Sequence, residues 1–231
     1  MSQVKEMSGL KRGSGERSNS YSESKYTNWS QYNPFDLEIS VLPKNLHPTI
    51  EIVAGKGVVP IYVRDLHADF IRPVEAEDVR ELLSRVPSNF LHSLDGVYLL
   101  GGTSKQIRTA KKLLRYGCYS RQYSRYGRGQ IYLHAFPRQW LSDYWKQRPK
   151  PTIVEQYTRM GAEWKQDSSG WRLEFNESSL RRFYLFNVLL HELGHHVDKR
   201  VWNRDSKSAE RYAEWFAQEY ARSLNNPSAT S

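Results

Sequence analysis

The sequence predicts one α+β domain over residues 34–224, and three observations carry that reading. Short β-branched and aromatic runs bounded by Gly and Pro fill the first two thirds of the chain. Two long stretches with apolar residues at helical spacing close it, and no linker-like composition lies between Pro34 and Asn225. Residues 1–33 are rich in Ser, Gly, Lys, Arg and Glu. They hold too few apolar side chains to offset the entropy of ordering, so they read as a disordered tail.

The elements follow in order. Ile50 to Val53 and Val58 to Val63 are β-branched runs around Ala54-Gly55-Lys56-Gly57, a hairpin signature. Val79, Leu82, Leu83 and Val86 give helical spacing over Val74 to Val86, stopped by Pro87. Gly96 to Leu100 reads as a strand closed by Gly101-Gly102, after which Thr103 or Ser104 caps a helix carrying Ile107, Leu113 and Leu114 up to Gly117. Gln130 to Phe136 reads as a strand ended by Pro137, and Trp140, Leu141, Tyr144 and Trp145 as a short helix. Trp164 to Gln166 and Trp171 to Phe175 flank Asp167-Ser168-Ser169-Gly170 as a second hairpin. Asn176 or Ser178 caps the most apolar helix, with Leu180, Phe183, Tyr184, Val188 and Leu189 running into His191. A loop over Trp202 to Ser208 leads to a last helix with Ala209, Ala213, Phe216, Ala217, Tyr220 and Leu224 at core spacing, stopped by Asn225-Asn226-Pro227.

Composition removes several classes of protein. Hydrophobic residues are 39% of 231, which allows a core, but the mean hydropathy is −0.73 and no apolar run approaches the roughly 20 residues that cross a bilayer. One cysteine, Cys118, excludes a disulfide framework within the chain. The first twenty residues have no apolar segment of signal-peptide type, so the expected setting is the cytoplasm, without a membrane. The net charge of +9 comes largely from Lys105 to Arg128, which holds eight Lys/Arg and no acid.

The chemistry is concentrated in His191-Glu192-Leu193-Gly194-His195, an HExxH motif on the apolar helix. Two His four residues apart lie about 40° apart around a helix and one turn from each other, so both rings reach one ion. Glu192, on the neighbouring face, reaches a metal-bound water. A catalytic zinc takes three protein ligands and leaves one position open. None of His47, His67, His92 and His134 follows the motif, so a downstream third ligand is acidic. The HExxHxxGxxH pattern fails, because Asp198 and Val201 stand where Gly and His belong. Asp198 shares the histidines' face one turn further on, a position suited to a hydrogen bond with a ligand. Glu210 and Glu214 lie one turn apart on the last helix; one can ligate while the other orients an imidazole.

HELGHHVD followed by AERYAEWFA resembles the gluzincin arrangement, and more narrowly the anthrax lethal-factor-like and ImmA/IrrE-like metallopeptidases. The resemblance covers residues 177–224. It implies a zincin-like fold with a mixed sheet, an active-site helix and a following glutamate helix, with Glu210 as third ligand and Glu214 supporting the ligands. It also implies that the strand Gln130 to Phe136 is the edge that pairs with extended substrate. The chain departs from the lethal-factor pattern where a tyrosine precedes the third ligand: Trp202 and Asn203 stand there, with Tyr212 and His196 as candidate replacements.

The expected activity is therefore peptide-bond hydrolysis by a one-zinc endopeptidase acting on protein or peptide, with His191, His195 and Glu210 as ligands and Glu192 as general base. A nucleic-acid-binding protein with a structural or accessory metal site is the competing reading. It rests on segment 105–128, where Tyr116, Tyr119, Tyr123 and Tyr126 alternate with Arg115, Arg121, Arg125 and Arg128. His134 reads as a surface or half-buried strand residue, and Trp140, Trp145, Trp164 and Trp171 as core anchors.

Overall fold

A computed structural model describes residues 38–39, 46–55, 57–108, 115–121, 128–159, 161–198 and 206–225. The expected tail, residues 1–33, lies outside them. The β-branched runs make the strands β1 (Ile50–Ala54) and β2 (Gly57–Val63), whose register sets Ala54 opposite Gly57 with Gly55 at φ 61° in the turn. β3 (Phe70–Ile71), β4 (Leu94–Leu99), β5 (Gly117–Ser120), β6 (Gly129–Leu133) and β7 (Phe136–Pro137) follow. Five of them form a mixed sheet in the order β1-β2-β4-β6-β5, parallel from β2 through β4 to β6 and antiparallel at both margins.

Two expectations about this sheet are corrected. The run Gln130 to Phe136 is not one strand, since it breaks at His134 and Ala135: the His134 N–H donates to the Tyr116 carbonyl at 2.9 Å, and the chain then leaves the sheet. Pro137 lies within β7, pairing with Phe70 in a two-stranded ribbon where its missing N–H costs nothing. Moreover β6 is interior, hydrogen-bonded to β4 on one side and β5 on the other, so among the described residues β5 is the margin on that side and β1 the other.

Of the helices, α1 (Ala76–Ser84) forms where the Val79, Leu82, Leu83 spacing requires. α2 (Ser104–Ile107) is capped by Thr103, whose hydroxyl accepts from the Gln106 N–H. Its expected continuation through Leu113 and Leu114 lies outside the described residues, and Gly117 belongs to β5. Leu141 to Trp145 is not helical: a 3-10 turn over Arg138–Trp140 runs into β8 (Ser142–Trp145), the margin of a second sheet ordered β8-β10-β9, with β9 (Glu163–Asp167) and β10 (Gly170–Glu174) as the expected hairpin. Ser142 to Trp145 pair in antiparallel register with Glu174 to Trp171, and that pairing makes the run a strand. α3 (Pro151–Arg159), unforeseen, begins with Pro at its first position, where the missing N–H is tolerated. Trp145 and Trp164 meet edge to face at 5.8 Å between centroids, and Arg148 lies over Trp171, so these indoles tie the small sheet together instead of anchoring the main core.

The main core lies on one face of the five-stranded sheet. Ile61, Val97 and Ile131 of the parallel strands pack there with Val79 and Leu83 of α1, and with Leu189, Leu190, Leu193 and Phe216 of the carboxy-terminal helices. On the opposite face Tyr62, Tyr98 and Tyr132 stack in a row, 4.6 and 4.9 Å between centroids. No helix among the described residues is long and apolar enough to cross a membrane.

Candidate metal centre

The apolar helix forms as three joined segments. Asn176 caps α4 (Glu177–Arg182) by accepting from the Ser179 N–H at 2.8 Å. A seven-residue π-helical stretch, Phe183–Leu189, then feeds α5 (Leu190–Val197), which carries the motif. α6 (Ser206–Asn225) starts inside the expected loop and packs against α5. The approach is close because Gly194 has no side chain: a Cβ there would stand 2.8 Å from the Ala213 Cα and 3.2 Å from the Phe216 Cβ. That closeness lets a carboxylate on the first turns of α6 reach the rings on α5.

Three ligand atoms converge. His191 Nε2 and His195 Nε2 are 3.1 Å apart, and Glu210 places one oxygen 3.2 Å from the first and the other 3.5 Å from the second. Protons do not satisfy this triangle. If both nitrogens donate to Glu210, their protons confront each other; if one accepts from the other ring, it faces the carboxylate with a lone pair. A shared cation removes the conflict, and among the described residues this is the one His/Cys/Asp/Glu cluster with metal-ligand geometry. Burial would lower the His191 pKa, but the Glu210 hydrogen bond and the charges of Glu192, Glu210 and Glu214 outweigh it and raise it. The hydrogen bonds from His191 and His195 hold Glu210 far below the usual carboxylate range.

Glu192 is buried between α5 and the sheet edge. Burial raises its pKa, the two motif histidines pull it back, and the Tyr119 backbone N–H of β5 donates to its carboxylate. Gly117 of the same strand makes the room: a Cβ there would meet the Val188 Cγ1 at 2.6 Å and the Glu192 Oε1 at 3.0 Å. The three ligands, Glu192 and Glu214 line a cleft of about 620 Å³ between β5, the π-helical stretch, α5 and α6.

No protein-family model, curated protein or solved structure matches this chain.

The remaining sequence candidates fall as follows. Glu214 lines the cleft, contributes its charge at His191 and accepts from Gln218 Nε2 at 2.9 Å. Asp198 caps the end of α5 in a buried position, outside the ligand cluster, with its N–H donating to the Gly194 carbonyl. His196 faces away from the cleft: its Nε2 donates to the His92 carbonyl at 3.0 Å, and its Nδ1 is 3.3 Å from the Tyr119 hydroxyl. Tyr212 packs on Trp215 and Phe216 and does not line the cleft, so neither replaces the missing tyrosine. Arg115 lines the cleft, Arg121 donates to the Tyr119 hydroxyl at 2.7 Å, Arg128 is exposed, and Arg125 lies outside the described residues with Tyr123 and Tyr126. Tyr116 is packed against Phe136, Phe183 and Tyr184, and Tyr119 against His196, so these two tyrosines are already engaged within the fold.

His134 is fully buried, not half-exposed, and burial together with Arg115 pushes its pKa down to about 3. The residues that sequence reading missed are Gly117, Gly194, Asn187, Tyr116 and Tyr157 as cleft builders. Asn187 was reachable, because it stands four residues before His191 on the same apolar helix.

Proposed function

We propose that this protein is a zinc-dependent endopeptidase of the gluzincin type. The observation that carries the reading is the meeting of His191, His195 and Glu210 within 4.8 Å, with a buried Glu192 beside them in an open cleft. The donor set of two imidazoles and a carboxylate suits zinc. Ligands about 2.0–2.1 Å from a tetrahedral zinc stand roughly 3.3–3.4 Å apart; the two ring nitrogens lie close to that at 3.1 Å, and each faces a different Glu210 oxygen, at 3.2 and 3.5 Å. The mixed sheet with an antiparallel strand at the motif's side also supports a zincin-like arrangement.

His191, His195 and Glu210 would hold the zinc, which would supply a water acidic enough to react near neutral pH and a Lewis acid for the scissile carbonyl. Glu192 accepts the proton of the attacking water on its carboxylate and delivers it to the departing amine nitrogen. The Tyr119 N–H and the space left by Gly117 hold that carboxylate against the strand while it does so. Substrate in extended form adds along β5, the sheet margin nearest the motif among the described residues, in place of the interior run Gln130 to Phe136.

The test measures metal content and turnover together. One zinc per chain is expected, and Glu192→Gln should retain that zinc while losing about 10²–10⁴-fold in kcat/KM on a cleaved protein. A chain that takes up no zinc, or a Gln variant with undiminished turnover, defeats the proposal.

A further inference from the structure

The candidate ligands, Glu192 and Glu214 make up only part of the cleft's lining. An ion with one water needs little of its 620 Å³, since a water's share of liquid volume is roughly 30 Å³. The cleft has the size of pockets that take organic ligands, roughly 300–1,000 Å³. Much of the remaining lining is aromatic or apolar, with Arg115 and Cys118 among it. Tyr116 and Tyr157, both half-buried, pack on Phe183 at 5.0 and 5.6 Å between centroids, with Val188 beside them. Asn187, also in the lining, stands one turn after Phe183 and one turn before His191, on the π-helical stretch, a form of helix found frequently at functional sites. Its carboxamide lines the cleft and makes no hydrogen bond among the described residues. A carboxamide offers an acceptor and a donor, the complement of a main-chain amide.

Building on the metallopeptidase reading, we infer that the cleft selects a peptide with a bulky apolar side chain next to the bond to be cut. The side chain seats between Tyr116, Tyr157, Phe183 and Val188, and the Asn187 carboxamide pairs with the adjoining main-chain amide. Removing a benzyl-sized side chain from water against these rings favours it over a methyl by at least about tenfold, given the free energy of apolar burial.

Binding tests this without turnover. The zinc-loaded full chain is titrated with the acetylated hydroxamates of alanine, phenylalanine and glutamate. The phenylalanine compound should bind about tenfold or more tighter than the alanine compound. Asn187→Ala should weaken the phenylalanine compound severalfold at unchanged zinc content, and Tyr157→Ala should shrink the phenylalanine-to-alanine ratio. Equal affinities for those two compounds, or tightest binding of the glutamate compound through Arg115, would overturn the inference and leave the zinc site standing. So would failure of all three to bind a chain that carries zinc; a chain that carries none overturns the underlying reading as well.

Discussion

The two faces of α5 use the same residue type in opposite ways. On the back, His196 is satisfied by the protein alone: His92 takes the proton of one ring nitrogen, and the other meets the Tyr119 hydroxyl, which in turn accepts from Arg121. Burial lowers its pKa, with the Arg121 charge adding to the effect. A Cβ at Gly129 would stand 2.4 Å from the His196 Nδ1, so even the neighbouring strand is cut to fit this ring. On the cleft side, His191 and His195 face each other and one carboxylate, with their nitrogens in a conflict that no tautomer resolves. A finished hydrogen-bond network is architecture. An unfinished one, open to solvent and close to negative charge, is a place that can hold a cation.

The sharpest way to break this contrast is to remove one histidine from each face. His191→Ala should abolish stoichiometric zinc uptake, while the metal-free protein keeps its stability to within about 0.5 kcal/mol, as for substitutions away from packed features. His196→Phe should do the reverse. Zinc stays at one per chain, but the His92 carbonyl and Tyr119 hydroxyl lose their partner, at a cost of about 1–3 kcal/mol in urea unfolding. If His196→Phe lost zinc and kept its stability, the faces would have been assigned the wrong way round.

The same contrast separates what was legible in the sequence from what was not. The motif spacing is local: a helix alone puts His191 and His195 one turn apart, so that part could be read directly. Glu210 became legible only through a resemblance, because its position depends on how two helices pack. The interior place of β6 was illegible for a related reason. A run such as Gln130 to Phe136 has the same composition at an edge or in the middle, and only the pairing of Gly117 to Ser120 beyond it decides. The 140–145 run failed on period: Trp140, Leu141, Tyr144 and Trp145 fit a helix or a strand, and pairing with Trp171 to Glu174 settled Ser142 to Trp145 as strand.

Gly194 sharpens the comparison at the point where α5 meets α6. Alanine there would force the Ala213 backbone back from 2.8 Å. Glu210 sits one turn before Ala213, so the carboxylate moves with it. Overpacking of this kind costs about 1–3 kcal/mol, offset in part by the roughly 1 kcal/mol that alanine gains over glycine inside a helix. Gly194→Ala should therefore lower stability modestly and weaken zinc binding by about tenfold or more, as when groups that orient ligands are disturbed. A stabilised variant with unchanged zinc affinity would show that close helix packing does not place Glu210.

The effect confined to a shift of pH comes from a third histidine environment, His134, buried beside the cleft with a pKa pushed down to about 3. The unfolded chain binds a proton at this residue near pH 6.5, whereas the native state resists until about pH 3. The stability it contributes is thus complete above pH 6.5. It is lost progressively as pH falls towards 3, at roughly 1.4 kcal/mol per pH unit once the unfolded state is charged. In metal-free protein, to keep zinc release out of the comparison, wild type should lose about 2 kcal/mol more than His134→Gln between pH 6 and 4.5. Parallel pH profiles for the two would mean that His134 is hydrated or paired well enough to charge in place. The division between histidines satisfied by the protein and histidines placed to share a cation would then not extend beyond α5.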